Sequence, residues 1–249
     1  MSALPFLDCN ARIGRPTRPR RTEAVSAVEL LQDMDRCGIQ QALVYHVAAR
    51  EHAPAVGNAL LAREIGGTER LAPCWTLLPD ATLEGPGADA VVDQMLAAGA
   101  RAARLFPSSH RFLLSASDSD RLLGVLAERR VPVLLSLDEG GWAEVSGLLA
   151  RHPLLRLILL DVGYRCDRYL YPLLDTCREL RVETATYAVH RGIEALADRF
   201  GADCLVFGTG APLHDPAGAI AAVTYADLDD TARRLIAGDT LRRLLAEVV

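Results

Sequence analysis

Eight short apolar segments, each followed by a helical stretch, run along the whole chain. They are PFLDC (5–9), QALVYH (41–46), LAPCWTLL (71–78), AARLF (102–106), VPVLLSL (131–137), LRLILLDV (155–162), RVETATY (181–187) and CLVFGT (204–209). Their apolar residues are continuous, which is typical of parallel strands that are covered on both faces. Eight such units in 249 residues predict an α/β fold, a (β/α)₈ TIM-like barrel, as one domain over residues 1–249. A doubly wound open sheet is the alternative, but no Gly-x-Gly-x-x-Gly follows the first strand.

Composition excludes several classes of function. The chain has no lysine, so all 27 basic residues are arginine, and Schiff-base chemistry through a lysine amine is excluded. The net charge of −5 argues against a dedicated nucleic-acid binder, and no apolar run is long enough for a membrane span. Six scattered cysteines without a Cys-x-x-Cys pair fit reduced thiols. We therefore expect a cytoplasmic protein without a signal peptide and without an organic cofactor.

Candidate catalytic residues follow from the barrel, because its active site lies at the C-terminal ends of the strands. His46 follows strand 2, Asp161 follows strand 6, and His190 lies beyond strand 7. Histidine titrates near neutral pH, and a buried carboxylate can have a raised pKa. We predict that these three residues line one cavity and that His46 or His190 transfers the proton. The alternative is that His46 is a core histidine and that His190 faces solvent.

The chain resembles the amidohydrolase-related branch of the amidohydrolase superfamily. The matching landmarks are the Asp8 loop with Gly14, VELLQDMDRCGIQQALVY, RHPLLRLILLDVG, GIEALADRFGADCLVFGTGAP and a terminal AGDTLRRLL. The resemblance implies a metal site with His-x-His after strand 1, a histidine after strands 5 and 6, and an aspartate after strand 8. Those positions here are Asn10 and Arg12, Ser136, Asp161 and Gly210. Arginine is a permanent cation with no acceptor, so we expect no catalytic metal.

A binding site for an anion is the expected replacement. Arg12 and Arg104 lie at or near strand ends, and a guanidinium can hold a carboxylate with two parallel hydrogen bonds. The alternative is that each arginine forms a structural ion pair with a neighbouring Asp or Glu. The complete set of predicted substrate-binding residues is Asn10, Arg12, Arg104, Ser136, Tyr164 and Glu183.

Cys9 follows Asp8 directly and raises the question of a nucleophile. Successive strand residues point to opposite faces, so Asp8, Asn10 and Arg12 should share the inner face. Cys9 should then pack outward against the helices as a core residue.

Three functions remain compatible with the sequence. The first is a metal-independent hydrolase, lactonase- or amidase-like, acting on a small anionic substrate. The second is a lyase, decarboxylase, isomerase or cyclase on the same barrel, since the related branch includes decarboxylases. The third is an inactive barrel that binds a ligand. The expected partner is a small anionic ligand, with neither nucleic acid nor membrane, and a homodimer is left open.

Overall fold

The protein is an eight-stranded parallel barrel. The computed structural model describes residues 4–18, 25–80 and 85–249. The strands are β1 Leu7–Ile13, β2 Gln41–His46, β3 Leu71–Thr76, β4 Ala102–Leu105, β5 Val133–Ser136, β6 Leu157–Leu160, β7 Leu180–Glu183 and β8 Leu205–Val206. Each strand pairs in parallel with the next along the chain. The amide of Cys9 donates to the carbonyl of Phe207 at 3.0 Å, which brings β1 against the end of β8. The predicted fold class is confirmed.

Helices separate the strands and cover the outside of the barrel. They are α1 Ala27–Cys37, α2 Val47–Glu51, α3 Pro54–Glu64, α4 Ala88–Ala97, α5 Pro107–His110, α6 Ser117–Glu128, α7 Leu137–Arg151, α8 Asp167–Thr176, α9 Gly192–Phe200, α10 Pro216–Thr224, α11 Asp230–Arg234 and α12 Thr240–Ala246. The hydroxyl of Ser26 accepts from the amide of Glu29 at 3.2 Å, and the Glu29 carboxylate accepts from the amide of Ser26 at 3.0 Å. This reciprocal capping fixes where α1 begins.

The two faces of the sheet carry two apolar clusters. The larger one lies between the strands and the helices and includes Val44, Leu105 and Leu159. The smaller one fills the barrel interior and includes Leu43, Leu134 and Ile158 from alternate strand positions. Leu241 and Leu244 of α12 belong to the interior cluster, so the last helix contributes to filling the barrel interior.

The first strand differs from the prediction in two respects. It continues to Ile13, because Asn10 and Arg12 are strand residues whose side chains lie at the barrel mouth rather than in a loop. Its pairing with β2 shifts register between Asp8 and Ala11, which marks a β-bulge. Because of the bulge, Cys9 packs with the interior cluster and not outward against helices, although it is buried core as expected.

All six cysteines are free thiols, and burial raises the pKa of Cys9 well above the ordinary value. Within the described ranges, no helix combines the length and the apolarity that a membrane crossing requires.

Candidate active site

A cavity of about 140 Å³ lies at the mouth of the barrel, where the strands end. Five of the predicted site residues line it: Asn10, Arg12, Arg104, Ser136 and Asp161. Ser136 is the last residue of β5 and Asp161 directly follows β6, so the parallel strands deliver both to the same rim. Arg12 and Arg104 are buried, with 7% and 5% of their surfaces exposed, and both point into the mouth as predicted.

The side-chain amide of Asn10 links the guanidinium of Arg104 to the carboxylate of Glu183 at the floor of the cavity. Nη1 of Arg104 donates to Oδ1 of Asn10 at 2.6 Å, and Nδ2 of Asn10 donates to Oε1 of Glu183 at 2.7 Å. The guanidinium of Arg104 also lies over the ring of Tyr45, 4.4 Å from its centroid. Hydrogen bonding and the cation–π contact therefore hold Arg104 in one orientation.

Glu183 lies beneath the cavity rather than on its surface. It is fully buried, and its second carboxylate oxygen accepts from the amide of Asp161 at 3.2 Å. Loss of hydration is the main cause that raises the pKa of Glu183, to about 8, and the negative charge of Asp161 adds to it. The hydrogen bond from Asn10 opposes the shift. Glu183 thus supports Asn10 and Asp161 and does not line the cavity.

Asp161 contributes a carboxylate to the wall of the cavity. Its carboxylate accepts a hydrogen bond from the hydroxyl of Ser136 at 2.7 Å. Its backbone has φ +57°, in the left-handed region that non-glycine residues rarely occupy, although aspartate and asparagine tolerate it best. Such strained positions concentrate at functional sites.

Asp8 fixes the bulged strand to the segment after β8. Its carboxylate accepts hydrogen bonds from the amides of Asn10 at 2.9 Å and Thr209 at 3.0 Å, and from the Thr209 hydroxyl. Asp8 is buried, and desolvation raises its pKa despite these hydrogen bonds. Its contacts show a positioning role at the joint between the first and last strands.

An ion pair lies on one side of the mouth. Nη2 of Arg50 donates to Glu139 at 2.7 Å, and the same carboxylate accepts from the amide of Ser109 at 2.8 Å. Arg50 and Glu139 both line the cavity. Arg50 also lies over the ring of Phe106, 5.2 Å from the centroid. Arg50 therefore pairs with a neighbouring acid, whereas Arg104 hydrogen-bonds to a neutral amide.

The predicted histidines do not lie in this cavity. Tyr45 lines it, and the next residue, His46, points to the other face of β2 because strand side chains alternate. The His46 ring accepts from the amide of Ala48 at 3.1 Å and lies 3.5 Å from the Glu64 carboxylate. Burial is the main cause that lowers the pKa of His46.

His190 is exposed in the segment that precedes α9, and Tyr164 is 66% exposed beyond β6. Neither of them lines the cavity at the mouth. The structure therefore brings Asp161 together with the arginines and not with the two predicted histidines, and the predicted catalytic roles of His46 and His190 stay untested.

The predicted catalytic and substrate-binding residues do not include His214, although it follows strand 8 in the sequence. It lines the cavity four residues beyond Gly210, the position where the family has an aspartate. Gly210 has φ +67°, and a Cβ built on it would lie 2.7 Å from Cδ2 of His214. The ring of His214 thus occupies the space beside position 210 that a side chain there would need. The signal in the sequence is the pair itself, a glycine at the ligand position with a histidine one turn later.

The donor set around the mouth does not fit a divalent metal. Of the five positions that correspond to the family's ligands, Arg12 is cationic, Gly210 has no side chain, and the Asn10 amide is engaged by Arg104 and Glu183. In the part of the chain that the structure describes, no cluster of three His, Cys, Asp or Glu side chains could hold a metal ion.

Comparison with known proteins supports the resemblance in the sequence. The family model described as amidohydrolase matches residues 17–246. A search of curated protein sequences found no match. Among solved structures, the 5-carboxyvanillate decarboxylase of Sphingomonas paucimobilis is similar, with a TM-score of 0.77 and 13% identity over 99% of this chain and 100% of that one.

Two further structures widen the range of reactions on this fold. A dihydroxybenzoic acid decarboxylase of Polaromonas sp. JS666, with bound manganese and 2-nitroresorcinol, gives a TM-score of 0.76 and 14% identity over 98% of this chain and 97% of that one. A probable 2-pyrone-4,6-dicarboxylic acid hydrolase of Acinetobacter baumannii, with citric acid bound, gives a TM-score of 0.68 and 12% identity. The match covers 98% of this chain and 100% of that one. These structural similarities show the barrel fold alone, whereas the match to the family model shows the family. With eight parallel strands and a family match over most of its length, the chain belongs to the amidohydrolase family.

Proposed function

We propose that this protein is a hydrolase that acts without a metal ion on a small carboxylate-bearing ester, such as a lactone. One observation carries the proposal: two buried arginines and a carboxylate, Arg12, Arg104 and Asp161, line the same small cavity at the barrel mouth. The arginines supply fixed positive charge where family relatives hold a metal. Asp161 supplies a base at the same rim.

The arginines favour an anionic substrate. Arg104 hydrogen-bonds to the neutral amide of Asn10, and its buried Nε has no hydrogen-bond partner among the described residues. A buried guanidinium is costly unless an anion compensates it, and a carboxylate matches its planar donors. The names of the similar proteins point the same way, since each is named for an aromatic or cyclic organic acid.

Hydrolysis would use Asp161 as the base. Its carboxylate takes a proton from water, the hydroxide oxygen attacks the ester carbonyl, and the bond to the leaving oxygen breaks. The imidazole of His214, which lines the same cavity, is the general acid that donates a proton to that leaving oxygen. The product is a hydroxy acid. Ser136 donates to Asp161 and so orients the carboxylate. Arg12 and Arg104 hold the distal carboxylate of the substrate.

Decarboxylation is the second candidate, because it is the named activity of two of the similar structures. In that reaction the bond between the substrate carbon and its carboxylate breaks, carbon dioxide leaves, and the carbon takes a proton. Asp161 in its protonated form would be the donor. A barrel that only binds an organic acid is the third candidate.

Isotope labelling separates these candidates. The purified protein is incubated in ¹⁸O-water with carboxylated lactones, including 2-pyrone-4,6-dicarboxylic acid, and with carboxylated phenols labelled with ¹³C at the carboxylate. Hydrolysis puts one ¹⁸O into the ring-opened acid and leaves all the carbon in the product. Release of ¹³C-labelled carbon dioxide would replace the hydrolytic proposal with decarboxylation. Binding of these acids without turnover of any of them would support the non-catalytic barrel.

A further inference from the structure

A second cavity, of about 260 Å³, lies at the opposite end of the barrel from the mouth. Three arginines line it. Arg181 is the second residue of β7, Arg178 lies just beyond α8, and Arg199 is on α9. Arg181 and Glu183 lie two residues apart on the same face of β7, and Arg181 is at the end of the strand away from the mouth, where the cavity lies. Positive side chains from three elements therefore converge on a cavity that the proposed reaction does not use.

Arg181 is buried and incompletely compensated. Only 8% of its surface is exposed, and its Nη1 donates to the carbonyls of Arg178 at 2.7 Å and Leu180 at 3.0 Å. Its Nε is buried without a hydrogen-bond partner among the described residues. The carboxylate of Asp203 is 4.0 Å from Nη2. Desolvation lowers the pKa of Arg181, and the negative charges of Asp203 and Glu179 oppose that shift.

The two acids that line this cavity accept their hydrogen bonds from arginines other than Arg178 and Arg181, although Asp203 also forms the long ion pair with Arg181. Asp175 accepts from Arg199 at 2.8 Å, and Asp203 accepts at 2.9 Å from Arg243. Three arginines and two aspartates line the cavity, so its lining carries an excess of positive charge. A small anion between them would supply acceptors to donors that the protein leaves under-used.

We propose that this cavity binds a phosphate-type oxyanion through Arg178 and Arg181. Leu174 and Phe200 line the same cavity and offer an apolar surface to a group attached to the phosphate. The chemistry therefore suits inorganic phosphate and, more tightly, a phosphate monoester with a small apolar substituent. The proposal does not depend on which reaction takes place at the barrel mouth.

Calorimetric titration at pH 7 and constant ionic strength tests the site, with inorganic phosphate and phenyl phosphate as the probes. Arg178→Gln removes a charge from an exposed side chain and should leave the fold intact. Loss of one charge-assisted hydrogen bond should weaken phosphate binding by roughly tenfold. The matched control is Arg168→Gln, an exposed position on α8 that does not line the cavity. It should bind as the wild type does.

A third variant locates the ion. Arg104→Gln alters the barrel mouth and should leave phosphate binding unchanged if the ion lies at the opposite end. Tighter binding of phenyl phosphate than of phosphate would assign an organic phosphate, and equal binding would assign the free ion.

Two results would overturn the proposal. In the first, binding is lost in Arg104→Gln and kept in Arg178→Gln, which would place the ion in the mouth. In the second, saturating phosphate produces neither heat of binding nor a rise in Tm, although a ligand of the folded state must stabilise it. Arg181→Gln is a supporting variant only, because Arg181 also holds two backbone carbonyls.

Discussion

Arg104 donates a hydrogen bond to Asn10 at 2.6 Å, and this contact decides the orientation of the Asn10 amide. With Oδ1 engaged by a guanidinium, Nδ2 must face Glu183, whose carboxylate accepts it at 2.7 Å. One arginine thus determines how a neutral amide links the cavity to a buried acid. In the family pattern a metal-ligating histidine occupies the position of Asn10. Here the hydrogen bonds from Arg104 to Asn10 and from Asn10 to Glu183 take the place of that metal–ligand bond.

Arg104→Gln should weaken binding of an organic acid more than it weakens the fold. Replacing a buried guanidinium that faces an anion should raise KM or Kd by roughly 10- to 100-fold, the cost of one to two charge-assisted hydrogen bonds. The measurement is calorimetric titration with whichever of the carboxylated lactones and phenols named above binds the wild type most tightly. Arg121→Gln, an exposed position on α6, is the control and should not change the affinity. Unchanged affinity in Arg104→Gln would remove Arg104 from the binding site.

Asp161→Asn should abolish proton transfer while keeping the backbone in place. Asparagine tolerates the left-handed conformation as aspartate does, so the substitution changes the acid–base chemistry and little else. We expect kcat to fall by about 10²- to 10⁴-fold, with a much smaller change in KM. Asp198→Asn, on the exposed side of α9, should retain wild-type kcat. If Asp161→Asn keeps full turnover, another group is the base.

Gly210→Ala should destabilise the protein and displace His214. The left-handed backbone costs an alanine about 1–2 kcal/mol, and its Cβ would lie 2.7 Å from the His214 ring. Thermal unfolding should show a lower Tm, and turnover should fall because His214 moves. Gly218→Ala is the control, since an added Cβ in α10 meets nothing within 4 Å. Equal Tm values for both alanine variants would contradict the placement of His214.

Glu183 should make the stability of the protein depend on pH. Its pKa is raised from 4.5 to about 8 in the folded protein, so the folded state binds more protons than the unfolded chain between these values. Stability should therefore fall as pH rises through this window, by about 1.4 kcal/mol for each pH unit, and level off above it. Denaturant unfolding of the wild type and Glu183→Gln at several pH values measures the effect. A constant difference between them would show that Glu183 is ionised throughout.

The purified protein should hold no stoichiometric zinc, manganese or iron, because Arg12 and Gly210 stand at two of the family's ligand positions. Elemental analysis should find well under one such ion per chain, and added manganese should not raise Tm. A ligand of the folded state at 100 times its Kd would add about 2.7 kcal/mol, so binding would be visible. One ion per chain, stripped by a chelator with loss of activity, would contradict the donor-set argument.

Periodicity in the sequence predicts the barrel well because parallel strands covered on both faces are continuous apolar runs. Residues 41–46 are predicted and observed as one strand, β2. The end of β1 is missed because Asn10 and Arg12 look like loop residues. These two polar side chains lie at the mouth of a closed barrel, and a single segment of sequence does not show that other strands will surround them.

The candidate site is predictable only in part. Landmark matching assigns Asn10, Arg12, Ser136, Asp161 and Gly210 to the family's ligand positions, and in the structure all five line one cavity. His46 shows what the sequence does not reveal. Side chains alternate along a strand, so the side that a residue near the strand end faces is fixed by the side that its neighbour faces. Tyr45 faces the cavity, so His46 cannot. His214 depends on a loop conformation that no periodicity encodes.

The bulge in β1 divides the strand into two parts, and the residues that face the barrel interior are odd-numbered before the bulge and even-numbered after it. Cys9 packs among apolar residues inside the barrel, and Asn10, its direct neighbour, also faces inward at the mouth. An ordinary strand could not present two consecutive residues to the same side. Deleting one residue between Asp8 and Ala11 would rotate either the packing end or the rim end of the strand onto the helices. The strand therefore keeps its packed base and its polar rim in place only at its present length.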